Sequence, residues 1–470
     1  MENKTMLTDL YQLTMNAAYL QNESKFGTFD LFIRKLPEDW GYFIANGIEE
    51  AVDYVTNLKF EEKDIEYLRN QGIFNEKYLA FLRNFKFQGE VYAVKEGTPI
   101  FPNEPILRVT GWKTDAQFVE TALLNIINFQ TMIASKASRV VNASKGAKVV
   151  DFGLRRAQGE DAAMKGARAC YIAGCAGTSN VKAGQEYRIP ITGTHAHSFV
   201  MSFPSELEAF WAYAKTFPDK PTLLIDTYDT VQGAKNAAVV AKELEKHFKK
   251  LGAVRLDSGN LEALSKKVRK IFDSQGLEYV KIVASNDLNE YKIEELVEKE
   301  APIDAYGVGT EMITAKPTAA IAGVYKLVDD SDGPKIKLSA EKTTLPGVKQ
   351  VYRQERNGKY DGDVIALANE KTEGKPLLEL AVEKGKRVRK KPELDETRKY
   401  CLEEIAKLSD ELKQTRVTEK YEVRVSDELK DLVDVLKKQY SKLPETTIEE
   451  IEEKWKERER RNSNGWALWG

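Results

Sequence analysis

The middle of the chain repeats one pattern. A short run of Val, Ile and Leu ends in glycine or polar residues, and a stretch of helical periodicity follows. The instances are AKVVDFGLRRA, YRIPITGTHAHS, PTLLIDTYDT, GAVRLDSGN, VKIVASNDL and IDAYGVGTEM. Runs such as LLI and KIV are too short for helices and too apolar for strands with one wet face. They read as buried parallel strands. The segments between them, such as VQGAKNAAVVAKELEKHFKKLG, carry apolar residues at helical spacing and end at glycine. Strand then helix, repeated, predicts an α/β fold. Strand starts about 25 to 40 residues apart suit an irregular α/β barrel with insertions.

The flanks read differently. Up to about residue 112, helical stretches mix with short β runs such as GTFDLFIRKLP and GEVYAVKEGTPIFP, which suggests an α+β unit. Residues 113 to 145 look mostly helical. After about 341 the pattern turns irregular, with TTLPGVKQVYR and a hairpin candidate, NGKYDGD. The last stretch is charged and helical and ends in ERERRNSNG, the mark of solvated outer helices. Three units result. Residues 1–112 form an N-terminal α+β domain that part of 341–400 could join. Residues 113–340 form the α/β barrel domain, and 341–470 a C-terminal extension, largely helical at its end.

Charge removes one class of partner. The 71 basic and 73 acidic residues nearly cancel, and nucleic acid usually selects a basic surface. No apolar run approaches the roughly 18 to 20 residues that span a bilayer, and the N-terminus lacks the apolar core of a signal peptide. The three cysteines, Cys170, Cys175 and Cys401, are too few and wrongly spaced for a zinc knuckle or a disulfide framework. A reducing compartment, the cytoplasm, is expected.

Chemically distinctive residues gather just after the apolar runs. AKVVD is followed by Phe152, Gly153, Arg155 and Arg156, IPIT by Thr194, His195 and His197, and LLI by Asp226 and Asp229. Arg255 and Asp257 alternate with apolar neighbours in AVRLDSG. Ser285, Asn286 and Asp287 follow KIV, and Gly307, Gly309 and Thr310 follow IDAY. Parallel strands of an α/β fold end on one rim, where ligands bind, so these ends predict a shared site. In YGVGTEM the glycines let backbone N–H groups approach an anion, or simply make a tight turn. In DFGLRRAQG the arginines offer planar forks to carboxylate or phosphate, or form surface ion pairs. LLIDTYDT reads as an ordinary strand end whose aspartates could assist a bound Mg²⁺. Tyr11 reads as a core tyrosine on a helix capped by Thr8, with Leu7, Met15 and Ala18 near the same face.

Only three histidines occur, and His195 and His197 are separated by one residue. On a strand both would face one way and could grip a metal, with carboxylates completing the site because His247 falls on an outer helix. The other reading is one working histidine, as general base or as nucleophile toward a phosphoryl group, with a neighbour beside it. A structural histidine bonded to backbone is a third.

Taken in order, TDLYQLTM, DFGLRRAQG, GTHAHSFV, LIDTYDT, VRLDSG, SND, GVGT and LPGVKQVYR closely resemble bacterial nicotinate phosphoribosyltransferases, a type II phosphoribosyltransferase family. The resemblance implies that nicotinate attacks the anomeric carbon of phosphoribosyl pyrophosphate in NAD salvage, giving nicotinate mononucleotide and pyrophosphate. ATP hydrolysis would be coupled through a transient phosphohistidine at His197, leaving His195 without an assigned role. The resemblance implies that Phe152 and Tyr11 sandwich the pyridine ring, Tyr11 coming from the partner subunit of a homodimer. Arg255 and Thr194 resemble contacts to nicotinate, Arg155 lies near the phosphate and pyridine groups, and Asp257 is a catalytic carboxylate on the ribose hydroxyls. Gly307, Gly309 and Thr310 would cradle the 5′-phosphate, with Asn286 in the same substrate-binding set. Mg²⁺ would neutralise pyrophosphate with little dedicated protein ligation, and ATP is a co-substrate. No structural zinc, nucleic acid or membrane partner is expected. Two alternatives stand beside this reading: nicotinamide phosphoribosyltransferase, against which GLRRAQG and GTHAHS speak, and a catalytically silent homologue acting as a binding protein.

Overall fold

Six short strands run parallel in the spatial order Gly177–Thr178, Lys148–Asp151, Ala305–Val308, Lys281–Ala284, Ala253–Leu256, Thr222–Leu224. The computed structural model describes residues 3–22, 25–338, 344–441 and 446–463, with side chains to residue 456 in the last segment. Leu223, Val254, Leu256, Ile282, Ala284 and Val308 are fully buried, as a parallel sheet covered on its faces requires. Three flanking helices, Thr230–Lys246, Leu261–Asp273 and Glu290–Glu298, start on Asp229, Asn260 and Asn289. The side chains of these caps accept the N–H of Gln232, Ala263 and Lys292. Asp229 is thereby accounted for as a helix cap.

The expected barrel is an open sheet. Among the described residues no strand ladder joins Thr222–Leu224 to Gly177–Thr178. Six short strands fall below the eight whose tilt and stagger close a small barrel. YRIPIT is not a strand either. It contributes a single bridge, Ile191 to Thr178, and the edge strand is Gly177–Thr178. The segment from Ile191 to His195 crosses the opening instead. At one side the Thr192 N–H donates to the Thr178 carbonyl at 3.0 Å. At the other, the Leu224 N–H donates to Nε2 of His195 at 3.2 Å.

An antiparallel sheet of seven strands has the order Gly333–Pro334, Gly323–Asp330, Phe26–Ile33, Leu107–Trp112, Glu90–Ala93, Glu379–Glu383, Lys386–Arg387. Strand Gly323–Asp330, expected within the barrel unit, pairs with Phe26–Ile33 and covers what would otherwise be an open edge. The boundary expected near 340 falls on residues 339–343, outside the described ones. A third sheet, of four strands, is built on the hairpin Lys349–Arg356 and Lys359–Leu367. At its tip Asn357 and Gly358 have φ of +53° and +75°, the left-handed pair that a tight hairpin needs. The helices Asp427–Tyr440 and Ile448–Ser463 follow. The last residues of ERERRNSNG lie outside the described ones.

The helix Glu120–Ala143 packs against both large sheets. From Gln130 to Val140 every residue is buried, so its polar side chains need internal partners. Ser135 accepts the Ile44 N–H, Thr131 the Asn46 N–H, and Ser138 shares a hydrogen bond with the Tyr42 hydroxyl. The first helix, Leu10–Gln21, departs from expectation. Asp9, not Thr8, precedes it, and the buried face carries Gln12, Leu13 and Asn16. Leu7, Leu10 and Tyr11 are exposed. The reason is chemical: Gln12 donates to Glu120 and Asn16 to the Thr114 carbonyl, so polar residues turn inward. Among the described residues no helix is long and apolar enough to cross a membrane.

Candidate active site

All six parallel strands point their C-terminal ends to one rim, and the residues singled out above lie along it. Phe152 follows Asp151, and its ring lies over Gly307 of the neighbouring strand. A Cβ on Gly307 would stand 2.3 Å from that ring, so glycine is required there by the aromatic seat and not by a turn. Asp151 is buried and accepts from the Gly153 N–H at 2.8 Å and the Thr178 hydroxyl at 2.7 Å. Burial pushes its pKa up. These bonds hold the turn that presents Phe152 and the short 3₁₀ turn Leu154–Arg156. Gly309 ends the neighbouring strand beside the Phe152 carbonyl, and Thr310 opens the four-residue helix Thr310–Ile313.

Arg255 lies inside strand Ala253–Leu256, and its Nε is buried without a partner. Burial lowers its pKa. Asp257 and Asp226 oppose that shift, and Arg155 adds to it. Neither Arg255 nor Arg155 forms an ion pair among the described residues. Arg255 is half-buried and Arg155 exposed; a cation that has lost part of its water without gaining a partner costs free energy that an arriving anion recovers. The two guanidiniums are therefore suited to a ligand carboxylate or phosphate on the rim that Phe152 shares.

His197 opens the short helix His197–Met201. Its Nδ1 lies 3.2 Å from the Thr227 hydroxyl, and its Nε2 lies 3.8 Å from Oδ2 of Asp257. Asp257 accepts from the Ser285 hydroxyl at 2.5 Å, and its N–H donates to Oδ2 of Asp226 at 2.8 Å. The Ser258 hydroxyl reaches the same Asp226 oxygen at 2.6 Å, and the other oxygen is buried and unpartnered. The imidazole thus faces the arginine and aspartate cluster. Ser285, which bonds the carboxylate, is among the strand-end residues singled out above, whereas Thr227, which bonds the histidine, carries no signal beyond lying after a strand, where Thr is an ordinary turn residue.

His195 is a different residue altogether. It is 7% exposed and packs edge-on against Tyr213, with ring centroids 4.8 Å apart. Burial pulls its pKa down to about 4, and Arg255 and His197 contribute. Accepting the Leu224 N–H through Nε2 puts the proton of the neutral ring on Nδ1. His195 therefore ties the crossing loop to the edge strand. Thr194 between them is half-buried, its hydroxyl donating to the His195 carbonyl at 3.1 Å.

Asn286 and Asp287 have φ of +94° and +44°. Such conformations cost about 1 to 3 kcal/mol and persist where surroundings enforce them. Tyr11 is not part of the cluster within one chain. It is 47% exposed and lies by Glu120 and Thr121. Ile313, beside Gly153, meets the same long helix near Ile133, and Glu120 to Ile133 spans about 20 Å of helix.

Fold and rim together define the class: a mixed α/β protein whose parallel sheet presents unpaired arginines, an aromatic seat and an imidazole on one rim. Profiles of the nicotinate phosphoribosyltransferase (NAPRTase) N-terminal domain, family and C-terminal domain match residues 6–128, 147–330 and 371–433. A nicotinate phosphoribosyltransferase of Mycobacterium tuberculosis is 43% identical over 427 residues, covering 90% of this chain and 92% of its own. One of Bacillus subtilis is 40% identical over 461 residues, covering 91% and 94%. The crystal structure of human nicotinic acid phosphoribosyltransferase superposes with a TM-score of 0.82 at 28% identity, over 91% of this chain and 99% of that one. The chain belongs to the nicotinate phosphoribosyltransferase family.

Proposed function

We propose that the rim transfers a phosphoribosyl group from phosphoribosyl pyrophosphate to nicotinate, releasing pyrophosphate and forming nicotinate mononucleotide in NAD salvage. The observation that carries this reading is the half-buried, unpaired Arg255 on the same rim as Phe152 and its glycine seat. A flat aromatic acid supplies both the ring and the carboxylate that such a pair recognises. A neutral amide would leave Arg255 unpaired, which disfavours nicotinamide. Thr194 and Arg155 border the same space, and Asp257 is set to accept from ribose hydroxyls. Asn286, Gly309 and Thr310 lie where the 5′-phosphate would sit. Gly307 serves that site through the Phe152 ring. The transition state carries oxocarbenium character, so positioning and charge matter more than a strong base.

His197 is the residue proposed to accept the γ-phosphoryl group of ATP on a ring nitrogen, and water later takes that group as phosphate. The hydroxyl at Nδ1 and the carboxylate near Nε2 hold the imidazole at the mouth of the site. Mg²⁺ would travel with pyrophosphate and offset its charge. Asp226, with one free oxygen, fits as a single protein ligand. Tyr11, exposed at the far end of the long helix, would close the ring site of a second copy, making the working unit a homodimer. The test is to incubate the chain with phosphoribosyl pyrophosphate, Mg²⁺ and ATP, offering acid and amide separately. Nucleotide from the acid alone is expected. Preference for the amide, or no nucleotide from either, overturns the reading. In His197→Ala, ATP stimulation should vanish while slow synthesis persists.

A further inference from the structure

Lys136 is 1% exposed, in the middle of the long helix Glu120–Ala143. Its Nζ donates to Oε2 of Glu290 at 2.5 Å, and Nε of Arg139, one turn on, donates to Oε1 at 3.1 Å. Glu290 is also 1% exposed. Two cations therefore share one buried carboxylate, an arrangement more costly than a one-to-one pair. Arg139 has other acceptors: the carbonyls of Asp39 at 2.5 Å and Thr415 at 2.6 Å. For Lys136, Glu290 is the hydrogen-bond partner, with Glu311 in electrostatic reach.

Both carboxylates stand behind the rim. Glu290 is the first residue of helix Glu290–Glu298. That helix follows directly on the turn Ser285–Asp287, which holds the two left-handed residues and whose serine bonds Asp257. Glu311 belongs to the short helix behind Gly309. We propose that Lys136 is a positioning residue: by gripping Glu290 from the central helix it holds the strained Ser285–Asp287 turn, and through Ser285 the Asp257 carboxylate, in register with His197. The mechanism is leverage from a rigid element. A fully packed helix supplies a fixed charge, and the turn it anchors would otherwise relax its positive-φ residues and withdraw the serine hydroxyl.

This inference rests on the phosphoribosyl-transfer reading, and the test separates the two. Lys136→Met keeps the volume and leaves Glu290 paired one-to-one with Arg139, so the fold should persist. The wild-type arm, assayed with nicotinate and phosphoribosyl pyrophosphate, tests the reading itself. In Lys136→Met, kcat should fall roughly 10- to 100-fold with KM for nicotinate unchanged, because Arg255 and Phe152 lie outside the turn. Amide exchange over residues 285–290 should quicken, a readout that needs no substrate. Adding Asp287→Gly, which removes the left-handed cost at that position, should restore part of kcat. If Lys136→Met does not accumulate as folded protein, Glu290→Asp, which keeps the charges and shortens the reach, carries the same expectations. Unchanged kcat and exchange in a folded variant overturn the proposal. So does a loss of activity that merely tracks thermal stability and is not rescued by Asp287→Gly.

Discussion

Arg353 and Arg255 both sit on strands and both lose most of their water, yet the fold treats them in opposite ways. Arg353 donates through Nε and Nη2 to Asp363 at 2.6 to 3.2 Å and lies over the Tyr360 ring at 4.4 Å. Glu104 stands beside the pair. Burial, together with the Asp363 charge, raises its pKa well above its usual value. Around Arg255 the acids Asp257 and Asp226 are near enough to act at a distance, but neither closes an ion pair with it: Asp257 accepts from the Ser285 hydroxyl, and Asp226 from the Ser258 hydroxyl and the Asp257 N–H. The first cation has its charge paired by the chain itself, with Nη1 alone left buried and unpartnered. The second waits for an anion from outside. Burial alone says little about function; burial without a partner, on the rim of a parallel sheet, says much more.

Mutation should drive the two arginines apart. Arg353→Met leaves Asp363 buried without its cation and should lose about 3 to 5 kcal/mol of stability, read by urea unfolding. A loss below about 1 kcal/mol would show that the pair is not what holds the third sheet. Arg255→Ala should do the reverse. Stability should stay within about 1 kcal/mol of wild type, because a charge without a partner is removed. The kcat/KM for nicotinate should fall on the order of 10²- to 10³-fold. If Arg255→Ala unfolds the protein as readily as Arg353→Met, the contrast between the two regions disappears.

The histidines sharpen the same contrast on a smaller scale. His195 has a folded pKa of about 4 against an ordinary 6.5. The unfolded chain therefore binds this proton more readily. The associated stability is fully present above pH 6.5 and drains as pH falls toward 4. Between pH 6.5 and 5 the loss should be about 2 kcal/mol, and His195→Gln should flatten that part of the profile. Equal slopes in wild type and variant would mean that the folded imidazole takes up its proton as readily as the unfolded one.

Much of the architecture was legible in the chain. Buried strands in an α/β sheet announce themselves as short apolar runs, and five of the six expected runs are strands of the parallel sheet. NGKYDGD forms its hairpin for an equally local reason, the left-handed preference of Asn and Gly. YRIPIT misled because its β-branched isoleucines and flanking tyrosine look strand-like, while its proline, which cannot donate to a ladder, argued the other way and pairing is decided by which edge lies nearby. Tyr11 misled because helical periodicity locates a face without saying whether it is the buried one. Here Gln12 and Asn16 found buried acceptors and took that face. Lys136 could not have been noticed at all. A lysine in TMIASKASRV reads as a solvated position, and its value comes from Glu290, far along the chain.

By itself the sequence determined the parallel strands, the rim to which they point and the order of residues along it, because hydrophobic periodicity and strand polarity act over a few residues. Which histidine faces the site, why Gly307 must lack a side chain, where the first helix turns its tyrosine and which charges meet partners were decided only in three dimensions. Those outcomes depend on contacts between segments far apart in the chain, where packing and desolvation choose among arrangements that local pattern leaves equal.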